Sequence, residues 1–100
     1  MRRAAKVDAN QKRIVKFLRD LGCSVQPLHA VGSGVPDLLV GYGTRNFLLE
    51  VKDGDKPPSA RALTEPQVKW HESWRGSVFT VINAEDAIRQ MCIPAHGVGE

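Results

Sequence analysis

The chain has no long apolar run. Charged residues and turn formers break every hydrophobic stretch well short of the roughly 18 residues a membrane-spanning helix needs. The first residues, MRRAAKVDANQKR, are basic but lack the apolar segment of a secretory signal, so a cytoplasmic protein is expected. Cysteine is scarce: Cys23 and Cys92 lie far apart, form no CxxC pair and read as reduced thiols. His29, His71 and His96 show no spacing with them that a structural zinc site needs. Repeats and low-complexity tracts are also missing, and 100 residues suffice for one domain with a modest core.

Acidic residues are nearly absent from the front of the chain. Residues 1–19 hold seven basic side chains against Asp8 alone, a net +6 on a protein of net charge +3. A basic region of this kind suits a polyanion such as nucleic acid, with Lys12, Arg13 and Lys16 as candidate contacts. The competing reading is a solvated helix face that aids solubility.

The patterning predicts a helix over residues 8–21, with Asp8 as cap and Gly22 as stop. A first strand is expected over 23–28 and a glycine-serine loop over 30–34. Strands follow over 35–41 and 46–52, joined by the turn residues 41–45 into a hairpin. Residues 53–63 read as a polar loop stiffened by Pro57 and Pro58. A second helix covers 64–74, a fourth strand 77–82 and a last helix 84–92. Residues 1–6 and 94–100 read as tails. The order α-β-β-β-α-β-α is that of an α/β layer fold, a mixed sheet flanked by helices.

The hairpin, GVPDLLVGYGTRNFLLEVKDG, puts charges into its best strands. Folded about Gly43 and Thr44, it sets residues whose numbers sum to 87 opposite each other, so Asp37 faces Glu50. Opposed side chains in an antiparallel pair have Cβ atoms roughly 4.5–5.5 Å apart. Period-two alternation puts Lys52 on the same face as Glu50. A one-residue slip would separate the acids. Two close carboxylates repel, and one takes up a proton unless a cation intervenes. Magnesium favours one or two carboxylates, water and phosphate oxygens. With Lys52 beside it to stabilise charge at phosphorus, the set suits phosphodiester hydrolysis. The competing reading is a salt-bridge cluster on an exposed sheet. Against it, the runs 38–40 and 47–49 are apolar on both faces, as in strands buried on both sides.

Pro36-Asp37 followed by Glu50-Val51-Lys52 resembles the PD-(D/E)xK nuclease signature. The expected element order is similar to that superfamily's restriction-endonuclease-like core. More narrowly, Gly34-Val35-Pro36-Asp37, Glu50-Val51-Lys52 and the Leu63-Thr64-x-x-Gln67 helix start resemble the minimal stand-alone VRR-NUC domains of phages and bacteria. The likeness spans about Asp8 to Met91. It implies a Mg²⁺- or Mn²⁺-dependent DNA endonuclease. Asp37 and Glu50 would be metal ligands with the backbone carbonyl of Val51, Lys52 the catalytic lysine, and Gln67 an active-site glutamine. Relatives often carry an acid in the first helix; here Gln11 stands at that position, able to bind metal-held water but without charge. Both glutamines also fit capping boxes, Asp8-x-x-Gln11 and Thr64-x-x-Gln67. Small relatives are associated with branched DNA such as Holliday junctions, which implies a two-fold homodimer. A non-catalytic nucleic-acid-binding module of the same fold is the alternative.

Other residues carry weaker signals. Ser33 and Gly34 offer backbone N–H groups near a phosphate, or simply a turn. Lys56 and Arg61 offer basic groups to a DNA backbone, or a solvated loop. His29 reads as structural first, Trp70 and Trp74 as packing residues one helical turn apart, and Tyr42 as a turn residue.

Overall fold

A computed structural model describes residues 8–94. The expected tails lie outside them, apart from an exposed Pro94. The elements are α1 (Ala9–Asp20), β1 (Ser24–Pro27), β2 (Leu38–Tyr42), β3 (Arg45–Val51), α2 (Pro58–Arg61), α3 (Glu65–Ser73), β4 (Val78–Val81) and α4 (Ala84–Met91). They form an α/β fold around a four-stranded mixed sheet of order β1-β2-β3-β4. The first two pairings are antiparallel, while β3 and β4 run parallel across the segment that carries α2 and α3. No helix among the described residues is long and apolar enough to cross a membrane.

The hairpin turn is tighter than residues 41–45. Tyr42 pairs with Arg45, leaving Gly43 and Thr44 at φ 57° and 67° as a two-residue turn with both centres left-handed. Tyr42 is therefore the last residue of β2 and packs against the core, not a turn residue. The turn sets the register: Leu38 faces Leu49, Leu39 faces Leu48 and Val40 faces Phe47. β2 begins at Leu38, three residues later than expected. Residues 32–34 all have positive φ, and Pro36 lacks the N–H needed to extend the ladder.

Opposed residues share a face, so the sheet has two unlike sides. Leu38, Val40, Phe47, Leu49 and Val81 point to one side and meet Ile14 and Leu18 of α1 and Ala87, Ile88 and Met91 of α4. This is the core. Leu39, Leu48, Glu50 and Lys52 alternate to the other side. That side is not sealed as expected, since Leu39 is 38% exposed and Trp74 45% exposed. The covering helix α3 has only nine residues and buries none of them. Trp70 and Trp74 stack on each other there, with centroids 4.7 Å apart.

The loop after β3 contains a helical turn, α2, where an irregular loop was expected. Pro58 opens it, because a fixed φ near −65° and a missing N–H suit a first helical turn. Cys23 is buried and Cys92 exposed, and neither is in a disulfide.

The 30–34 loop docks on the start of α3. A Cβ on Gly34, at φ +83°, would sit 2.4 Å from the Pro66 carbonyl oxygen. Gly22 is also left-handed, at φ +98°, but faces open space. Gly34→Ala is therefore expected to lower stability by roughly 2 kcal/mol or more, at roughly 4–8 °C in Tm per kcal/mol for a domain of this size. Gly22→Ala should lose clearly less. Thermal unfolding of the two variants side by side checks the difference.

Candidate active site

Asp37 is held at both ends. Its backbone carbonyl accepts from the Leu28 N–H at 2.7 Å, tying it to the end of β1. Its carboxylate Oδ2 accepts from the Val51 N–H at 2.8 Å. A side chain thus takes the place of the next ladder bond, just beyond the Leu38–Leu49 pair. The same register step brings Asp37 beside Glu50, whose residue is only 2% exposed.

Lys52 is held by its backbone. Its N–H donates to the Val81 carbonyl at 2.9 Å, and its carbonyl accepts from Asn10 Nδ2 at 3.0 Å. Asn10 also donates to the Ile82 carbonyl at 3.2 Å, so one buried amide pins α1 to the ends of β3 and β4. The Lys52 side chain turns to α3, where Nζ donates to Gln67 Oε1 at 2.9 Å.

Gln67 joins the two groups. Its Nε2 donates to Glu50 Oε2 at 3.0 Å while its Oε1 accepts from Lys52. The same Oε1 accepts from the Thr64 N–H at 2.9 Å, and Thr64 Oγ1 accepts from the Gln67 N–H. The capping box and the site contact are therefore not alternatives: one amide serves both. Lys52 Nζ and Glu50 Oε2 are 3.8 Å apart, an ion pair without a direct hydrogen bond.

Glu50 carries the main electrostatic strain. Burial and the neighbouring Asp37 push its pKa up to about 8, and Lys52 offsets only part of this. Its Oε1 is buried with no hydrogen-bond partner. The group left beside it is the Asp37 carboxyl, which can take a hydrogen bond only from a proton held on Glu50. Two adjacent acids, one of them presenting a lone inward oxygen, fit a hard divalent cation. Asp37, Glu50 and the Val51 carbonyl are the groups that would hold it. Among the described residues no three His, Cys, Asp or Glu side chains gather as metal donors, so water would complete any coordination shell.

No protein-family model matches the chain, and neither do the curated proteins or the solved structures compared with it. The site therefore has to be judged on its own geometry.

The other expected residues are scattered. Gln11 is buried on α1, and its backbone N–H donates to Asp8 Oδ1. Among the described residues its side chain bonds neither back to Asp8 nor to Asp37, Glu50 or Lys52. Lys12, Arg13 and Lys16 are exposed, and Lys16 pairs with Asp20 at 2.8 Å. Ser33 is exposed at φ 57°. Lys56 is exposed, whereas Arg61 is half-buried with an unpartnered Nε. His29 is half-buried with an unpartnered Nδ1.

Two contributors were absent from the expected set. Asn10 carried no signal beyond sitting next to Gln11. His71 did: it lies four residues after Gln67, on the same face of α3. Its imidazole pKa is lowered by burial and by the Lys52 charge.

The sign of the Glu50 shift gives a pH test. The native state holds this proton up to about 8, whereas an unfolded glutamate releases it near 4.5. The native state thus binds more protons between those values, and its stability falls as pH rises through that window. Metal-free protein should be more stable to denaturant at pH 5.5 than at pH 8.5. Glu50→Gln should remove most of that slope, and urea titrations at the two pH values measure it.

Proposed function

We propose that the protein is a metal-dependent DNA endonuclease of the PD-(D/E)xK type, with a restriction-endonuclease-like core. The observation that carries the reading is the buried Glu50 with the half-buried Asp37 beside it, one Glu50 oxygen that no donor of the described residues meets, and Lys52 alongside, joined by Gln67. A salt-bridge cluster on a solvated surface would not bury Glu50 to 2% exposure or leave one of its oxygens unpaired.

In this reading Asp37, Glu50 and the Val51 carbonyl hold Mg²⁺ or Mn²⁺. Such a cation, when bound, polarises a phosphoryl oxygen and makes water a better nucleophile. Lys52, only 14% exposed at its side chain, presents its ammonium to the scissile phosphate and to the charge that builds on it. Gln67 fixes the angle between the Lys52 ammonium and the Glu50 carboxylate. Lys12 and Arg13 on the exposed side of α1 supply phosphate contacts that position DNA without reading its sequence.

The preferred substrate is branched DNA of the Holliday-junction kind, cut by a homodimer. One domain of this size offers one acid pair, and two symmetric cuts need two. The open apolar strip of Leu39 and Trp74 beside the site supports a self-association surface.

Cleavage of four-way junction, flap, duplex and single-stranded DNA with Mg²⁺ or Mn²⁺ tests the reading. Wild type should cut the junction best, and Lys52→Ala should lose about 100-fold or more in rate, the scale on which one charge-stabilising group acts. Asp37→Asn should abolish the calorimetric signal of Mg²⁺ or Mn²⁺ binding. If the metal binds but no substrate is cut, the protein is a non-catalytic nucleic-acid-binding module; equal cutting of all four removes only the branched-DNA preference. Sedimentation equilibrium should give twice the monomer mass of 11.0 kDa.

A further inference from the structure

The proposed site uses one residue of α3, Gln67, and a second polar side chain of the same helix, His71, follows it. Gln67 and His71 are one turn apart, on one face. Gln67 is fully engaged, bonding Lys52, Glu50 and the Thr64 backbone. His71 is not: its Nε2 is buried and has no partner. Burial and then the Lys52 charge lower its pKa, which favours the neutral ring. A neutral imidazole has one nitrogen that accepts a hydrogen bond.

Lys52 has the matching deficit. An ammonium has three N–H donors. One is used by Gln67 Oε1, while Glu50 Oε2 at 3.8 Å is beyond hydrogen-bond reach. Once Glu50 and Asp37 turn their charge to a cation, Lys52 has less to hold it among the acids. The other polar atom that α3 offers it is the imidazole nitrogen.

We propose that His71 is a positioning residue for Lys52: its free ring nitrogen accepts from the ammonium and, with Gln67, clamps Nζ at the phosphate. The proposal rests on the reading of Lys52 as the phosphate-facing lysine. It explains why a buried nitrogen stands unpaired one helical turn from the amide that holds an ammonium with donors to spare. A packing role alone would be met by any apolar side chain of that size.

The test uses His71→Phe, which keeps a ring and removes the nitrogens, and His71→Gln, which restores an acceptor. Unfolding temperatures of both should stay close to wild type: His71→Phe removes an unpaired buried polar atom, and His71→Gln exchanges one polar side chain for another. Two readouts then decide. Proton exchange of the Lys52 ammonium with water, followed by ¹⁵N NMR on the metal-loaded protein, should become several-fold faster in His71→Phe and return toward wild type in His71→Gln. Single-turnover cleavage should fall about tenfold or more in His71→Phe at unchanged DNA affinity, since small misplacements of a reacting group cost that much. That loss should vanish in a Lys52→Ala background, where there is no ammonium left to position.

Wild-type ammonium exchange in His71→Phe overturns the proposal, and so does wild-type cleavage. A loss that persists in the Lys52→Ala background overturns it too, because His71 would then act on the phosphate itself. If the wild-type protein cuts no DNA, the nuclease reading fails separately, and ammonium exchange alone decides whether His71 holds Lys52.

Discussion

Everything at the candidate site depends on one pairing: the register that sets Asp37 beside Glu50. The hairpin turn has no slack, because Gly43 and Thr44 fill it and Tyr42 already pairs with Arg45. A slip of one residue would send Glu50 into the core side and Leu49 out of it. Burial of Leu38, Val40 and Leu49 at 0% exposure opposes that slip with the whole apolar core. The apolar face therefore fixes the charged face, although the two share no side chain.

The two sides of the sheet do different work. The core side is closed by α1 and α4 and carries the stability of the fold. The other side is roofed only by the short α3, whose N-terminal turn leans on the 30–34 loop through the tight approach of Gly34 to Pro66. That leaves Glu50 and the Lys52 ammonium dry enough to interact strongly, yet open at one edge. Burial raises the Glu50 pKa; the same desolvation would make a cation bound there more tightly attracted. The raised proton affinity of Glu50 and the attraction such a cation would feel there would have one cause.

How much of this was readable in the chain follows from how local each feature is. Two short apolar runs and a glycine-containing turn between them were enough for the hairpin and its register, because both act within about twenty residues. Thr64 and Gln67 gave the start of α3, because a capping box is a four-residue pattern. The start of β2 was misplaced by the Gly32–Ser33–Gly34 run of positive φ, whose conformation depends on the helix it docks against. The half-open second face was missed because Leu39 looks like a buried residue until the length of α3 is known; its opposite number Leu48 is indeed buried. Asn10 was missed for a similar reason: its partners, the carbonyls of Lys52 and Ile82, lie 42 and 72 residues away.

The charge count of the patch limits what it can hold. Asp37 and Glu50, when ionised, and Lys52 sum to one negative charge, and the glutamines at 11 and 67 add none. One divalent cation would change that to one positive charge, facing a phosphodiester that carries one negative. A second divalent cation would leave three positive charges with no third acid gathered there among the described residues to balance them, at a place where burial already penalises unpaired charge. An acid at position 11 would have offset part of that excess. Gln11 stays neutral and bonds none of the three charged groups, so in the proposed nuclease reading the charge balance would favour a single cation.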